Sequence, residues 1–329
     1  MMKKSLFRNL IIFFVIPAIA FLIVQNSLSG QYVEKLKSDA VEVSLTKDTL
    51  MLEIEHQKER YEVPPQDAKI DKVWKKMPGY NGLEVDVEAS YNKMREEGIF
   101  DENKLVFKQI PPKIHLNNLP AAPIFRGHPE KPMVALTINV AWGNEYLSSI
   151  LTTLKKHQVH ATFFIEGRWA KENPELVKMI ADGGHELGNH SYSHPNMKTL
   201  NSDRIRNELK KTNDIIKAAT DKTPTLFAPP SGSFRDEVVE IAHEMNMETI
   251  MWTVDTIDWR NPTPHTLLNR VTKQLHNGAI ILAHPTKATD LALDQLLEEI
   301  KKRGYRIGTV TNLLDEKRII DLKNHHDSE

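Results

Sequence analysis

Residues 134–165 read VALTINVAWGNEYLSSILTTLKKHQVHATFFI, and this stretch decides the fold. An apolar, β-rich run from Val134 to Ile138 is followed by helical periodicity up to about His157, and then by a second apolar run from Ala161 to Ile165. Apolar runs of about four to eight residues are typical of buried strands. The order strand, helix, strand predicts two parallel strands joined by a crossover helix.

The same alternation continues toward the C-terminus. Further helices are predicted at Pro174–Asp182 and Ser202–Thr220, and further apolar runs at residues 225–227, 248–253, 279–283 and 306–310. About seven units of this kind predict an α/β fold with a barrel-like sheet of fewer units than a full eight-unit barrel. A small α+β module is expected before it.

The composition excludes several classes of function. The chain has 329 residues, a formal net charge of -1 and no basic cluster interleaved with aromatic residues, so nucleic acid is not an expected partner. Cysteine is absent, which excludes disulfides, cysteine nucleophiles and thiolate zinc sites. Any bound metal must therefore use nitrogen and oxygen ligands.

The N-terminus has the pattern of a signal-anchor. Lys3, Lys4 and Arg8 precede an apolar run from Leu10 to Val24, and residues 6–28 together approach the length of about 17–25 residues that spans a bilayer. We expect an uncleaved membrane anchor with the rest of the chain outside the cytoplasm. The alternative is a signal cleaved near Ala18-Ile19-Ala20 and a secreted protein.

Changes in composition suggest the domain boundaries. A signal-anchor or transmembrane segment is expected at 1–28, a polar stalk at 29–65, which Pro64-Pro65 ends, and the small module at 66–125. The barrel is expected at 126–316 and a polar tail at 317–329.

His190 and His194 form a candidate metal site. They lie four residues apart in the run GNHSYSH, residues 188–194, and this spacing would place both imidazoles on one face of a helical turn, as metal chelation requires. Surface histidines also occur at this spacing by chance.

His284 is a candidate proton donor. It ends the apolar run Ile280-Ile281-Leu282-Ala283, where a histidine can act as a general acid if a carboxylate holds its tautomer. Asp255 or Asp258 could supply that carboxylate. The alternative is a structural histidine and an aspartate that caps a helix.

The loop Pro229-Pro230-Ser231-Gly232 is rigid and follows an apolar run. It could direct the backbone N–H of Ser231 or Gly232 at a developing oxyanion, or be an ordinary turn.

Taken in order, residues 131–314 resemble the polysaccharide deacetylase family, carbohydrate esterase family 4, and the whole chain resembles its sporulation-associated branch in spore-forming bacteria. The blocks that carry the resemblance are Leu136-Thr137-Ile138-Asn139, His190-Ser191-Tyr192-Ser193-His194, Pro229-Pro230-Ser231-Gly232, Asp255-Thr256-Ile257-Asp258-Trp259 and Leu282-Ala283-His284.

The resemblance implies a distorted (β/α) barrel of about seven units, a divalent metal, usually Zn²⁺, and N-deacetylation of N-acetylglucosamine polymers of cell-wall glycan. It implies that His190 and His194 bind the metal, that His284 is the acid with Asp255 or Asp258 behind it, and that the substrate-binding or oxyanion residues are Pro229, Pro230, Ser231, Gly232 and Trp259.

Three positions depart from the family pattern. Asn139 stands where the catalytic base aspartate is expected, Val140 and Asn144 stand where the metal-binding aspartate is expected, and Ala228 replaces an arginine that orients the base. Loss of a positioned general base removes roughly 10²–10⁴-fold of rate. We therefore expect a weak or silent site with metal bound weakly or not at all; Glu145 is a possible substitute ligand or base.

Three functions remain open on the sequence alone. The chain could be an anchored deacetylase of low activity, a non-catalytic glycan-binding relative that keeps the cleft, or a structural envelope protein whose barrel is inert.

Overall fold

The computed structural model of the protein describes the backbone of residues 28–320 and the side chains of residues 30–37 and 49–320. The signal-anchor predicted for 1–28 and most of the predicted polar tail fall outside this range. Among the helices of residues 28–320, none combines the length and the apolar character that a membrane crossing requires.

The described residues form two compact units, each built from two separate segments. The first contains residues 28–62 and 84–108, and the second contains residues 63–83 and 109–320. Residues 66–125, expected from the sequence to be one module, are thus divided between the two units.

An all-parallel sheet of eight strands is the frame of the second unit, in the order β10-β11-β5-β6-β7-β8-β9, with β12 added beside β5. The strands are β5 (Met133–Val140), β6 (Thr162–Ile165), β7 (Glu186–Asn189), β8 (Leu226–Phe227), β9 (Glu248–Thr249), β10 (Val254–Asp255), β11 (Ile280–Ala283) and β12 (Arg306–Gly308). The seven strands of the path form a partial barrel, which confirms the predicted fold.

Smaller strands precede this sheet. The strands β1 (Lys69–Asp71) and β2 (Lys75–Met77) form an antiparallel hairpin, and β3 (Gly82–Val85) pairs with β4 (Phe107–Ile110). The hairpin includes Ile70 and Trp74, both exposed at the surface.

The helices of the barrel lie between its strands. They are α3 (Asn144–Lys156), α4 (Gly167–Glu172), α5 (Pro174–Asp182), α6 (Ser202–Thr220), α7 (Asp236–Glu244), α8 (Pro264–Gln274), α9 (Lys287–Lys302) and α10 (Val310–Leu314). Proline in the first turn of α5 and α8, and side-chain caps from Asn201, Thr263 and Thr286 on α6, α8 and α9, define where the helices begin.

Burial follows the sequence pattern. All eight residues of β5 are buried, as expected for a parallel strand covered on both faces. Its side chains at 134, 136, 138 and 140 pack in one core with Leu147, Ile150 and Leu154 of α3 and with the buried face of α9. This core fixes the carboxyl ends of the strands, where the polar residues lie.

The first unit has its own apolar core. The long helix α1 (Leu28–Gln57) contributes Leu50 and Ile54, and the short helix α2 (Val87–Met94) contributes Met94. Val85 and Leu105 complete the buried cluster. The C-terminal turns of the predicted stalk are therefore packed against neighbours.

Candidate functional site

A cavity of about 470 Å³ opens at the carboxyl ends of the barrel strands. Residues from all five sequence blocks line it together, although these blocks are far apart along the chain. The lining residues are Asn139, Trp142, His190, His194, Ser231, Trp252, Asp255, Trp259, Leu282 and His284. This is the position where active sites of barrel enzymes occur.

His190 is held in one tautomer. Its Nδ1 lies 2.7 Å from the carbonyl oxygen of Ala228, and since a carbonyl only accepts, Nδ1 carries the hydrogen. Nε2 then keeps its lone pair in the neutral imidazole. Burial lowers the pKa of His190 to about 3, so the ring is neutral at neutral pH, as a metal ligand must be.

His194 lies beside His190, with ring centroids 5.1 Å apart and ring planes at 71°. Burial also lowers the pKa of His194. The expected helical turn is wrong, because residues 190–194 form an irregular loop after β7. Ser191 at φ 62° and His194 at φ 54° adopt left-handed backbone conformations, which bring the rings together by a different path.

Asn139 lies in β5, where the resemblance places the base. Its side chain is 4% exposed, and its Oδ1 is buried without a hydrogen-bond partner in the described chain. The next residue, Val140, is fully buried in the apolar core. Successive residues of a strand point to opposite faces of the sheet. Asn139 therefore borders the cavity while Val140 faces the core.

These residues do not fit the metal centre that the resemblance implies. Catalytic zinc is held by three protein ligands, commonly two histidines and a carboxylate. In the described chain, the one cluster of three His, Asp or Glu side chains within ligand distance is His157, Asp294 and Glu298, which does not line the cavity. Among the described residues, His190 and His194 therefore have no carboxylate within ligand distance of both.

Asn144 and Glu145, the alternative ligands, do not line the cavity. Asn144 begins α3 and is exposed; its Nδ2 donates to Asn173 at 2.7 Å, and its Oδ1 accepts from the indole N–H of Trp169 at 2.6 Å. Glu145 follows it on the exposed surface of α3. The expectation that Asn144 replaces the metal-binding aspartate therefore has no support in its contacts.

Asp258 is the partner of His284. Its side chain is fully buried, its Oδ1 lies 2.8 Å from Nδ1 of His284, and its Oδ2 accepts from the backbone N–H of the same residue at 2.6 Å. The hydroxyl of Thr289 also donates to Oδ2 at 2.6 Å. Of the two candidate carboxylates, Asp258 is therefore the one in contact with His284.

Asp255 has a different environment. It is half-buried at the end of β10, and its Oδ1 accepts from the backbone N–H of Ile257 at 2.8 Å. Oδ2 has no hydrogen-bond partner in the described chain, so this carboxylate borders the cavity with one oxygen available.

The loop after β8 differs from its expected role in one respect. The N–H of Gly232 is already bonded to the carbonyl of Pro229 at 3.0 Å, so it is not available to an oxyanion. Ser231, at φ 53°, lines the cavity, and no hydrogen bond within the described chain occupies its N–H. Pro229 and Pro230 shape this loop and do not line the cavity, while Ala228 lies behind it, 3% exposed.

Two tryptophans on the cavity are exposed. Trp142, 45% exposed, stacks on His284 with ring centroids 5.4 Å apart and planes at 14°, and Trp259 is 53% exposed. Trp142 and Trp252 were not selected from the sequence; the signal for Trp142 was an aromatic residue in the turn directly after a buried strand. No pattern in the sequence indicated the contact of Thr289 with Asp258.

The sequence of the chain is similar to the sequences of known proteins. Residues 126–250 match the family model described as polysaccharide deacetylase. The chain is 51% identical over 302 residues to the uncharacterized protein YlxY of Bacillus subtilis, covering 92% of this chain and 95% of that one. It is 36% identical over 199 residues to a peptidoglycan-N-acetylglucosamine deacetylase of Bacillus cereus, covering 59% of this chain and 72% of the relative.

Two solved structures also match most of the chain. The wild-type CE4 family pseudoenzyme from Bacillus anthracis has 59% sequence identity and a TM-score of 0.79, and the match covers 82% of this chain and 96% of that one. A mutant of the same pseudoenzyme with restored enzymatic activity has 58% identity and a TM-score of 0.79, over 82% and 99% of the two chains.

The chain belongs to the polysaccharide deacetylase family, carbohydrate esterase family 4. The family resemblance expected from the five sequence blocks is therefore confirmed.

Proposed function

We propose that this chain is a membrane-anchored, extracytoplasmic polysaccharide deacetylase-like protein that binds N-acetylglucosamine-containing cell-wall glycan in its cleft and hydrolyses it slowly or not at all. The observation that carries the proposal is the cluster of His190 and His194 with Asn139, which no carboxylate of the described residues completes within ligand distance. An amide neither accepts a proton near neutral pH nor binds Zn²⁺ as a carboxylate does.

The rest of the cleft supports binding. The buried pair of Asp258 and His284 is complete, and two exposed tryptophans border the cavity. Exposed aromatic faces on a soluble domain commonly mark a binding surface. The relatives point the same way, since a Bacillus cereus relative is a peptidoglycan-N-acetylglucosamine deacetylase and a similar Bacillus anthracis protein is a pseudoenzyme.

Low activity through a substitute carboxylate has less support. Glu145 is exposed on α3 and does not line the cavity. A purely structural role for the barrel would leave the exposed Trp142 and Trp259 without a function at the mouth of the cleft.

Cellular placement rests on the sequence. The basic and apolar pattern of residues 1–28 supports an anchor, and a role in sporulation is part of the proposal by family resemblance alone. Cell fractionation distinguishes the anchored protein, found with the membrane, from the cleaved alternative, found in the medium.

The catalytic part is tested by acetate release from N-acetylglucosamine oligomers with added Zn²⁺, together with calorimetric zinc binding. Wild type is expected to bind zinc weakly and to release acetate at least roughly 10²-fold more slowly than Asn139→Asp, which restores the carboxylate at the expected base position. The double variant Asn139→Asp, Ala228→Arg tests whether the arginine raises the rate of acetate release further.

The binding part is tested by co-sedimentation with insoluble peptidoglycan. Wild-type protein should be retained, and retention should fall when Trp259 is changed to alanine. Acetate release by wild type at the rate of Asn139→Asp would contradict a silent site, and wild-type protein left in the supernatant would contradict glycan binding.

A further inference from the structure

The cavity is lined by negative charge with no balancing lysine or arginine. None of its ten lining residues is lysine or arginine, and Asp255 is the one carboxylate among them. A second carboxylate, Asp258, is buried directly behind His284. Arg260 lies over the ring of Trp259, 4.7 Å from its centroid, but is not among the lining residues.

The hydrogen-bonding groups of the cavity are of both kinds, because the backbone N–H of Ser231 is free to donate. Asp255 uses one oxygen for the backbone N–H of Ile257 and leaves the other without a partner in the described chain. His190 and His284 donate from Nδ1 to Ala228 and Asp258, so in their neutral forms each has an acceptor lone pair on Nε2. The cavity thus offers a backbone donor and several acceptors, and the one carboxylate among its lining residues makes it negative.

An N-acetylated amino sugar and an amino sugar with a free amino group interact differently with the groups of this cavity. An acetamide has one N–H donor and a carbonyl oxygen that itself needs a donor. An ammonium group has three donors and a positive charge, so it can bond to the free oxygen of Asp255 in a charge-assisted hydrogen bond. The backbone N–H of Ser231 can serve the acetamide carbonyl, so the difference between the two ligands lies in the charge, and no lysine or arginine among the lining residues offsets Asp255.

We propose that this cleft selects glycan that contains a free amino group, that is, a de-N-acetylated hexosamine residue, over fully N-acetylated glycan. The proposal rests on the glycan binding proposed above and makes Asp255 the specificity-determining residue. In this role the protein recognises the product of a deacetylation carried out by another enzyme.

The test is isothermal titration calorimetry on the full-length chain in detergent micelles. The two ligands are the N-acetylglucosamine tetramer and the same tetramer with one residue de-N-acetylated, at a pH where the amine is protonated. Wild type should bind the second about fivefold more tightly, the upper range for a partly exposed ion pair. Asp255→Asn should abolish this preference.

Asp182→Asn is the matched control. It removes the same charge from the C-terminal end of α5, where Asp182 is exposed and pairs with Lys178 at 3.1 Å. This variant should keep the preference for the de-N-acetylated tetramer. Equal or tighter binding of the acetylated tetramer by wild type would overturn the selectivity and leave glycan binding standing. A preference that persists in Asp255→Asn or disappears in Asp182→Asn would overturn the assignment of that selectivity to Asp255. Failure to bind either tetramer would contradict the proposed function as well.

Discussion

The carboxylate of Asp258 holds His284 at two points, at 2.6 Å from its backbone N–H and at 2.8 Å from its Nδ1. One side chain therefore fixes both the position of the residue and the tautomer of its ring. Asp258 is fully buried and also accepts from Thr289, so this contact belongs to the core of the barrel as much as to the cleft.

Asp258→Asn is expected to lower the free energy of unfolding by about 2–4 kcal/mol, because it removes one partner from a buried, hydrogen-bonded pair. Urea denaturation followed by circular dichroism measures the change. Asp214→Asn is the control, since Asp214 pairs with Lys210 at the exposed surface of α6 and its loss should change the free energy by less than about 1 kcal/mol. Equal losses in both variants would contradict the interpretation.

Gly143 fixes the turn between β5 and α3, next to Trp142. Its φ is +83°, and a Cβ there would lie 2.0 Å from the carbonyl oxygen of Pro285. Gly143→Ala should therefore combine backbone strain of about 1–2 kcal/mol with an overpacking cost of about 1–3 kcal/mol.

Gly304 is a close control for this substitution, because its φ is also +83° and nothing lies within 4 Å of the point that a Cβ would occupy. Gly304→Ala should show the backbone strain alone. Urea denaturation of both variants separates the two costs, and the steric explanation fails if the alanines are equally destabilising.

Stability should depend on pH through His185, which lies in the loop before β7. Burial, with a smaller effect of His160, lowers the pKa of His185 from 6.5 to about 4. The unfolded chain binds this proton below about pH 6.5 and the folded chain does not until about pH 4. The contribution of His185 is therefore fully present above pH 6.5 and is lost as the pH falls toward 4.

Between pH 7 and pH 5 this group should account for about 2 kcal/mol of the loss in unfolding free energy. His185→Gln should reduce the difference between urea denaturations at these two pH values by about that amount. His265→Gln, an exposed histidine on α8, should leave the difference unchanged. A wild-type pH dependence in His185→Gln would show that other groups carry it.

Trp142→Ala should weaken glycan binding about tenfold, because a large aromatic surface at the centre of an interface typically contributes more than about 1 kcal/mol. The residue is 45% exposed, so the unfolding free energy should change little. Trp74→Ala is the control: Trp74 is 36% exposed on the β1–β2 hairpin and does not line the cavity. Calorimetry with the tetramer should show loss of affinity in the first variant alone.

Regular elements of the barrel could be predicted from the sequence because their pattern is local. The helices predicted at Pro174–Asp182 and Ser202–Thr220 have those bounds in the structure, and the apolar run from Val134 to Ile138 lies inside β5. An unbroken apolar run and a helical period of polar and apolar residues depend on few neighbours.

The details of the site depended on contacts between distant segments. The spacing of His190 and His194 fits a helical turn, but two left-handed residues in a loop produce the pair instead. Asp255 and Asp258 cannot be distinguished without β11 beside them, and the engaged N–H of Gly232 is visible only in the folded loop. Residue identities were therefore easier to predict than their hydrogen bonds.

The first unit is built from two separate segments of the chain, residues 28–62 and 84–108, and this has a consequence for deletion experiments. Leu50 and Ile54 come from one segment of the chain, while Val85, Met94 and Leu105 come from another, and the five form one buried cluster. A truncated protein beginning at residue 66, the boundary that composition suggests, would keep three of these five residues and expose the apolar surface that Leu50 and Ile54 cover. Aggregation of such a fragment would reflect an incomplete hydrophobic core and would say nothing about what the cleft binds.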